Sequence, residues 1–91
     1  MAGHVYLLHF DAPLGHARHY RGWTLDVERR LREHASANGR SVPLMRALKA
    51  AGIGFVLAET REGDRHVELR LRRRGGAART CPICRAERNG G

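Results

Sequence analysis

Residues 17–34 read ARHYRGWTLDVERRLREH, and the way this stretch folds decides what surrounds it. His19–Trp23 suits a short strand, and Gly22 near its end permits another backbone or ring to come close. Thr24 then offers a helix N-cap, with Asp26 and Glu28 placed in the first turn to complement the helix dipole. Val27 and Leu31, four apart, give that helix its core face. Arg30 and His34 lie one turn apart and are bracketed by this apolar pair, so they belong near the edge of the core. A surface helix with basic decoration needs no such placement. Such a decorated surface helix is one reading and a phosphate site the sharper one, and the rest of the chain decides between them.

Working outward, HVYLLHF at 4–10 is a compact apolar run rich in strand formers and reads as a buried strand. DAPLGHAR follows, with Pro13 and Gly15 marking a loop or hairpin back to the strand at 19–23. SANGRS (36–41) is a polar turn. Ser41 and Pro43 open a second helix whose inner stripe is Leu44, Met45, Leu48 and Ala51, and Gly52 is placed to stop it. IGFVLAET (53–60) reads as a third strand, and REGD as a turn whose Asp64 caps a third helix. That helix runs to about Arg74 with Val67 and Leu71 inward, and Gly75–Gly76 end it. The expected fold is a small α/β (α+β) sandwich in the order β-β-α-α-β-α. Its three-stranded, mostly antiparallel sheet is flanked by helices, residues 1–80 forming the domain. Residues 81–91, opening with CPIC, are expected to be a mobile tail.

Composition narrows the class. Ninety-one residues make one domain, whose core is marginal and leaves few side chains for an apolar ligand pocket. The net charge is +8, and Lys49 is the only lysine. An excess of arginine over acid suits a polyanionic partner, because each phosphate contact releases counterions. No apolar run approaches the roughly 20 residues that span a bilayer, and MAGHVYLLHF has neither a basic leader nor a cleavage site. A cytoplasmic protein with no membrane partner is expected.

The order of these pieces resembles the GIY-YIG endonuclease family. HVY at 4–6, YRG at 20–22 and an arginine eight residues after that glycine follow its two strand motifs and helix arginine. Tyr6 and Tyr20 fall on the motif tyrosines, Gly22 on the glycine, Arg30 on the arginine and His34 on the residue one turn on. RHVELRLRRR resembles the segment with the metal-binding glutamate, which falls on Glu68, with Arg72 at the basic position after it. The closing CPIC is similar to the end of very small free-standing members. His4 and Arg21 depart from the motifs, replacing a glycine and an isoleucine, and no asparagine matches the one many members carry after the glutamate helix.

The resemblance implies a metal-dependent nuclease that hydrolyses DNA phosphodiesters with low sequence specificity. Tyr6, Tyr20, Arg30, His34 and Glu68 would then be catalytic. Glu68 would hold one Mg²⁺ or Mn²⁺, for hard oxygen donors suit those ions. Arg30 offers a permanent, forked cation for phosphate oxygens. A tyrosine near pKa ~10 needs a cation to become a base, and His34 competes for proton transfer. Arg18, Arg21, Arg29, Arg72 and Arg73 are the cations expected on the DNA backbone, Arg21 pointing outward, with Trp23 either stacking on a base or packing on the first helix. A partner protein or the substrate's shape would supply specificity. The alternative from another class is a non-catalytic nucleic-acid-binding module on the same scaffold.

The remaining histidines fit no zinc spacing, so His9, His16, His19 and His66 are expected in solvent or core. Cys81 and Cys84 supply two of the four ligands that structural zinc requires. Completion would take histidines, His66 among them, or a second chain. The expectation is two packed thiols closing the C-terminal segment, with zinc the lesser reading. A redox CxxC is disfavoured because the pair follows a glycine-rich stretch rather than opening a helix.

Overall fold

The computed structural model describes residues 3–36, 42–74 and 77–90. β1 (Gly3–Leu14) and β2 (Ala17–Thr24) form a hairpin, followed by α1 (Val27–Ser36) and α2 (Pro43–Ala50). β3 (Phe55–Gly63), α3 (Arg65–Arg74), α4 (Ala77–Thr80) and α5 (Pro82–Gly90) complete the chain. The sheet order is β2-β1-β3, and both pairings are antiparallel. This is the expected α+β arrangement, with the first strand in the centre. No described helix is long and apolar enough to cross a membrane.

Alternation along β1 divides its side chains between two faces. Tyr6, Leu8 and Phe10 meet Met45 and Leu48 of α2, with Leu31, Leu44, Tyr20 and Phe55 packed around them. Val5, Leu7 and His9, equally buried, point to the other face. Two irregularities adjust the ladders. Leu7 pairs with Glu59 but Leu8 with Leu57, which leaves Ala58 as an extra residue in β3. A shift between His9 and Leu14 likewise interrupts the hairpin.

Several local expectations change. The hairpin reaches Leu14, so only Gly15–His16 form the turn, and Gly15 takes a positive φ of 61°. Asp26, not Thr24, caps α1: the Arg29 N–H donates to Asp26 Oδ1 at 3.1 Å. Thr24 instead closes a turn in which the Asp26 N–H donates to its hydroxyl. Asp64 caps α3 as expected, accepting the Val67 N–H at 3.1 Å. Gly52, at φ 73°, ends α2. Ser41, the turn from residue 37 on, and the Gly75–Gly76 stop lie outside the described residues. A cavity of about 470 Å³ between α1, α2 and the start of β3 is lined by Leu31, Met45, Leu48 and Phe55, more apolar space than composition suggested.

The largest departure is at the C-terminus. In place of a polar tail, α5 begins directly after Cys81, whose carbonyl accepts the Arg85 N–H at 3.0 Å. CPIC therefore opens a helix. Among the described residues of 77–87 Cys81 alone is buried, so apolar packing contributes little to holding this segment.

Candidate functional site

β1, β2 and α1 bring four of the proposed catalytic side chains into one network. Tyr6, 1% exposed, lies opposite Gly22 in the hairpin register and next to Leu8, whose partner is Tyr20. Both tyrosines thus face α1. The Tyr6 hydroxyl stands 2.9 Å from His34 Nε2 and also interacts with the side chains of Arg30 and Tyr20. The three rings pack at 5.6–6.2 Å between centroids. Gly22 makes this possible: a Cβ there would stand 2.6 Å from Tyr6 Cζ and collide with the hydroxyl. The glycine is required by an aromatic ring rather than by its own backbone angles.

Counting donors describes the state of this network. A phenol oxygen gives one proton and accepts two hydrogen bonds. If Tyr6 donates to His34, it can accept from both Arg30 and Tyr20, and the imidazole proton then sits on His34 Nδ1. If His34 donates to Tyr6, the lone pair is on Nδ1 instead. In either case buried Nδ1 has no hydrogen-bond partner among the described residues. Burial and the nearby Arg30 charge push the imidazole down to about 4, so His34 is neutral at physiological pH. Burial pushes Tyr6 up to about 12 despite the opposing Arg30. For Tyr6 the desolvation cost of a buried phenolate outweighs the lowering that a nearby cation offers. Tyr6 is a protonated phenol that positions its neighbours.

Arg30 also donates to Glu33 Oε1 at 3.1 Å, and Arg29 Nε is 3.8 Å from Oε2 of the same carboxylate. Glu68 is 6% exposed on α3, and Arg72 Nη1 donates to its Oε1 at 3.2 Å. The helix carrying Glu68 borders two clefts. One is lined by Arg65 with Trp23, Asp26, Arg29, Arg30 and Glu33; the other by Leu71 and Arg72 with His19, Tyr20, Arg21 and Ala77. Glu68 lies on α3 between Arg65 and Leu71 but does not itself line either cleft. It belongs to no group of three or more histidine, cysteine or acidic ligands among the described residues. A divalent ion there would have one protein carboxylate, which fits magnesium or manganese retaining water and taking phosphate oxygens.

The expected DNA-facing cations divide. Arg29, Arg72 and Arg73 are exposed, whereas Arg18 is half-buried with Nε donating to the Phe10 carbonyl at 3.3 Å. Arg21 does not point outward. Its side chain is 8% exposed, 4.0 Å from Glu59 and 3.5 Å from the Thr80 hydroxyl. It lies on the face beneath the C-terminal segment, where Glu59 and Thr80 give its charge polar partners. Trp23 shares a cleft with Arg29, Arg30 and Glu33 of α1. Its Nε1 donates to the Gly63 carbonyl at 2.9 Å, and Arg65 covers its ring at 5.6 Å. Gly3, not His4, supplies the close approach at the strand start: a Cβ there would lie 2.7 Å from Trp23.

A second cluster lies on the opposite face of the hairpin. His9 and His19 are register partners, and Cys81 and Cys84 reach them from the start of α5. One donor atom from each lies within 4.8 Å of the others, so these four side chains could hold a metal ion. His16 and His66 are exposed, as expected, but His9 and His19 are not separate: they meet each other and both thiols. His66 takes no part; it is exposed and lines a basic surface with Arg70, Arg73 and Arg74. Comparison with known families, curated proteins and solved structures gives no match to this chain.

Proposed function

We propose that the chain is a GIY-YIG-type endonuclease that hydrolyses DNA phosphodiester bonds with a divalent ion at Glu68. The observation that carries this reading is the Tyr6–Tyr20–Arg30–His34 network. Residues separated by as many as 28 positions meet at one phenol, over a glycine that the network requires. A basic helix with a buried carboxylate, bordering clefts lined by Arg30 and by Tyr20, supports it further.

Each side chain has a distinct task. Arg30 exchanges one contact with Glu33 for a phosphate oxygen and neutralises charge as it grows on the phosphoryl group. Tyr6 and neutral His34 hold Arg30 and Tyr20 in position from beneath. Tyr20, half-buried beside an open cleft, is the phenol placed to contact the attacking water. Glu68 would hold Mg²⁺ or Mn²⁺, which when bound supplies Lewis-acid polarisation of the phosphate. Arg72, partner of Glu68, and exposed Arg73 engage the backbone electrostatically, giving affinity without reading bases.

Incubating supercoiled plasmid with the protein and Mg²⁺ or Mn²⁺ tests this. Metal-dependent nicking is expected, with Arg30→Ala slowing it by about 10²–10³-fold and Glu68→Ala abolishing it. Plasmid binding without cleavage in either metal overturns the enzyme and leaves a nucleic-acid-binding module.

A further inference from the structure

We infer that His9 Nδ1, His19 Nε2, Cys81 Sγ and Cys84 Sγ hold one structural zinc ion that fastens the C-terminal helix to the sheet. The distances carry this. His9 Nδ1 and His19 Nε2 are 3.3 Å apart. Cys81 Sγ is 3.6 Å from His9 Nδ1, while Cys84 Sγ is 3.5 Å from His9 Nδ1 and 3.3 Å from His19 Nε2. Ordinary tetrahedral zinc, with Zn–N of about 2.0–2.1 Å and Zn–S of about 2.3 Å, separates its nitrogens by roughly 3.3 Å and nitrogen from sulfur by roughly 3.6 Å. These four separations, 3.3–3.6 Å, match edges of such a tetrahedron, and the two remaining pairs lie within 4.8 Å. One His9 nitrogen lies near three potential partners, more than a single ring N–H or lone pair can satisfy by hydrogen bonding.

The donor chemistry selects the metal. Two imidazoles and two thiolates in tetrahedral array suit zinc, and the absence of an oxygen ligand disfavours magnesium and calcium. Four protein ligands leave no open position, which marks the site as structural rather than catalytic. Its place in the fold supplies the need. The described residues of α4 and α5 bury none of their side chains fully, and Cys81 between them is the one buried residue, so a metal linking this segment to β1 and β2 replaces the missing apolar core. This site is independent of the nuclease reading.

Metal analysis of the full chain, purified without chelator, is expected to give one zinc per molecule. Replacing zinc with Co²⁺ should give the strong visible bands of a four-coordinate ion together with a thiolate charge-transfer band. Cys84→Ser and His9→Ala should lose the metal, whereas His16→Ala and His66→Ala retain it. If the first pair fails to fold, His19→Cys still decides: it should keep the metal and strengthen the charge-transfer band. Chelation should also raise hydrogen exchange across residues 82–87. Substoichiometric zinc, a disulfide between Cys81 and Cys84 in the purified chain, a cobalt spectrum without a sulfur band, or unchanged exchange overturns the site.

Discussion

Tyr6 is the residue on which most of the candidate site converges, and its hydroxyl serves three neighbours at once. Tyr6→Phe keeps the ring but strips His34, Arg30 and Tyr20 of their shared partner. Stability should fall by about 1–3 kcal/mol, the cost of a buried polar group left unpaired, as read by urea unfolding. His34 gives a separate pH signature. Its pKa of about 4 lies below the ordinary histidine value, so between roughly 6.5 and 4 the unfolded chain binds more protons than the folded one. Stability therefore declines as pH is lowered through that window. His34→Gln should lose this part of the decline. Comparing unfolding midpoints of the two proteins at several pH values cancels whatever His9 and His19 contribute to both. Parallel profiles would show that His34 already titrates normally. Arg30 and Glu33 face the imidazole from its own helix, and Tyr6 and Tyr20 face it from the sheet.

At the scale of elements, α3 positions Glu68 through its N-cap, so Asp64→Ala should cost about 1 kcal/mol. For a domain of this size that is a melting-point drop of about 4–8 °C. Calorimetry checks it. The strands and first three helices are legible because apolar spacing, the Gly52 stop and the Asp64 cap act over a few residues, whereas the cap of α1 falls on Asp26 and not on Thr24. Tyr6, Tyr20, Arg30 and His34 were legible as an ordered pattern. The metal cluster was not, and the hairpin explains why. Counting back from the Leu14–Ala17 pair without interruption sets His9 opposite Gly22; the irregularity between His9 and Leu14 brings His19 there instead. No spacing rule written for consecutive ligands anticipates a pair created by strand register. The CPIC segment was misread for a related reason: its helix carries too few apolar residues to announce itself.

Across the whole molecule the core is thin. Met45 and Leu48 are the fully buried residues of α2, and either changed to alanine should cost about 2–5 kcal/mol, enough to unfold much of a small domain when followed by circular dichroism. The positive charge is unevenly arranged, with His66, Arg70, Arg73 and Arg74 lining one outward surface of α3. If that surface meets nucleic acid, Arg73→Ala should reduce the slope of log affinity against log salt by about one. Fluorescence anisotropy with a labelled duplex reads this directly. An unchanged slope would move the contact elsewhere.

The central strand has a double duty. Tyr6 and His9 are three residues apart on β1, so pleating sends one to each side of the sheet. Adding or removing a single residue between Tyr6 and His9 would exchange inside for outside along the strand on one side of the change. The phenol network and the sulfur-nitrogen cluster would then no longer fall on opposite faces. Insertions should therefore be tolerated far less well between Tyr6 and His9 than beyond the irregularity that follows His9, because this stretch sets the phase for both faces.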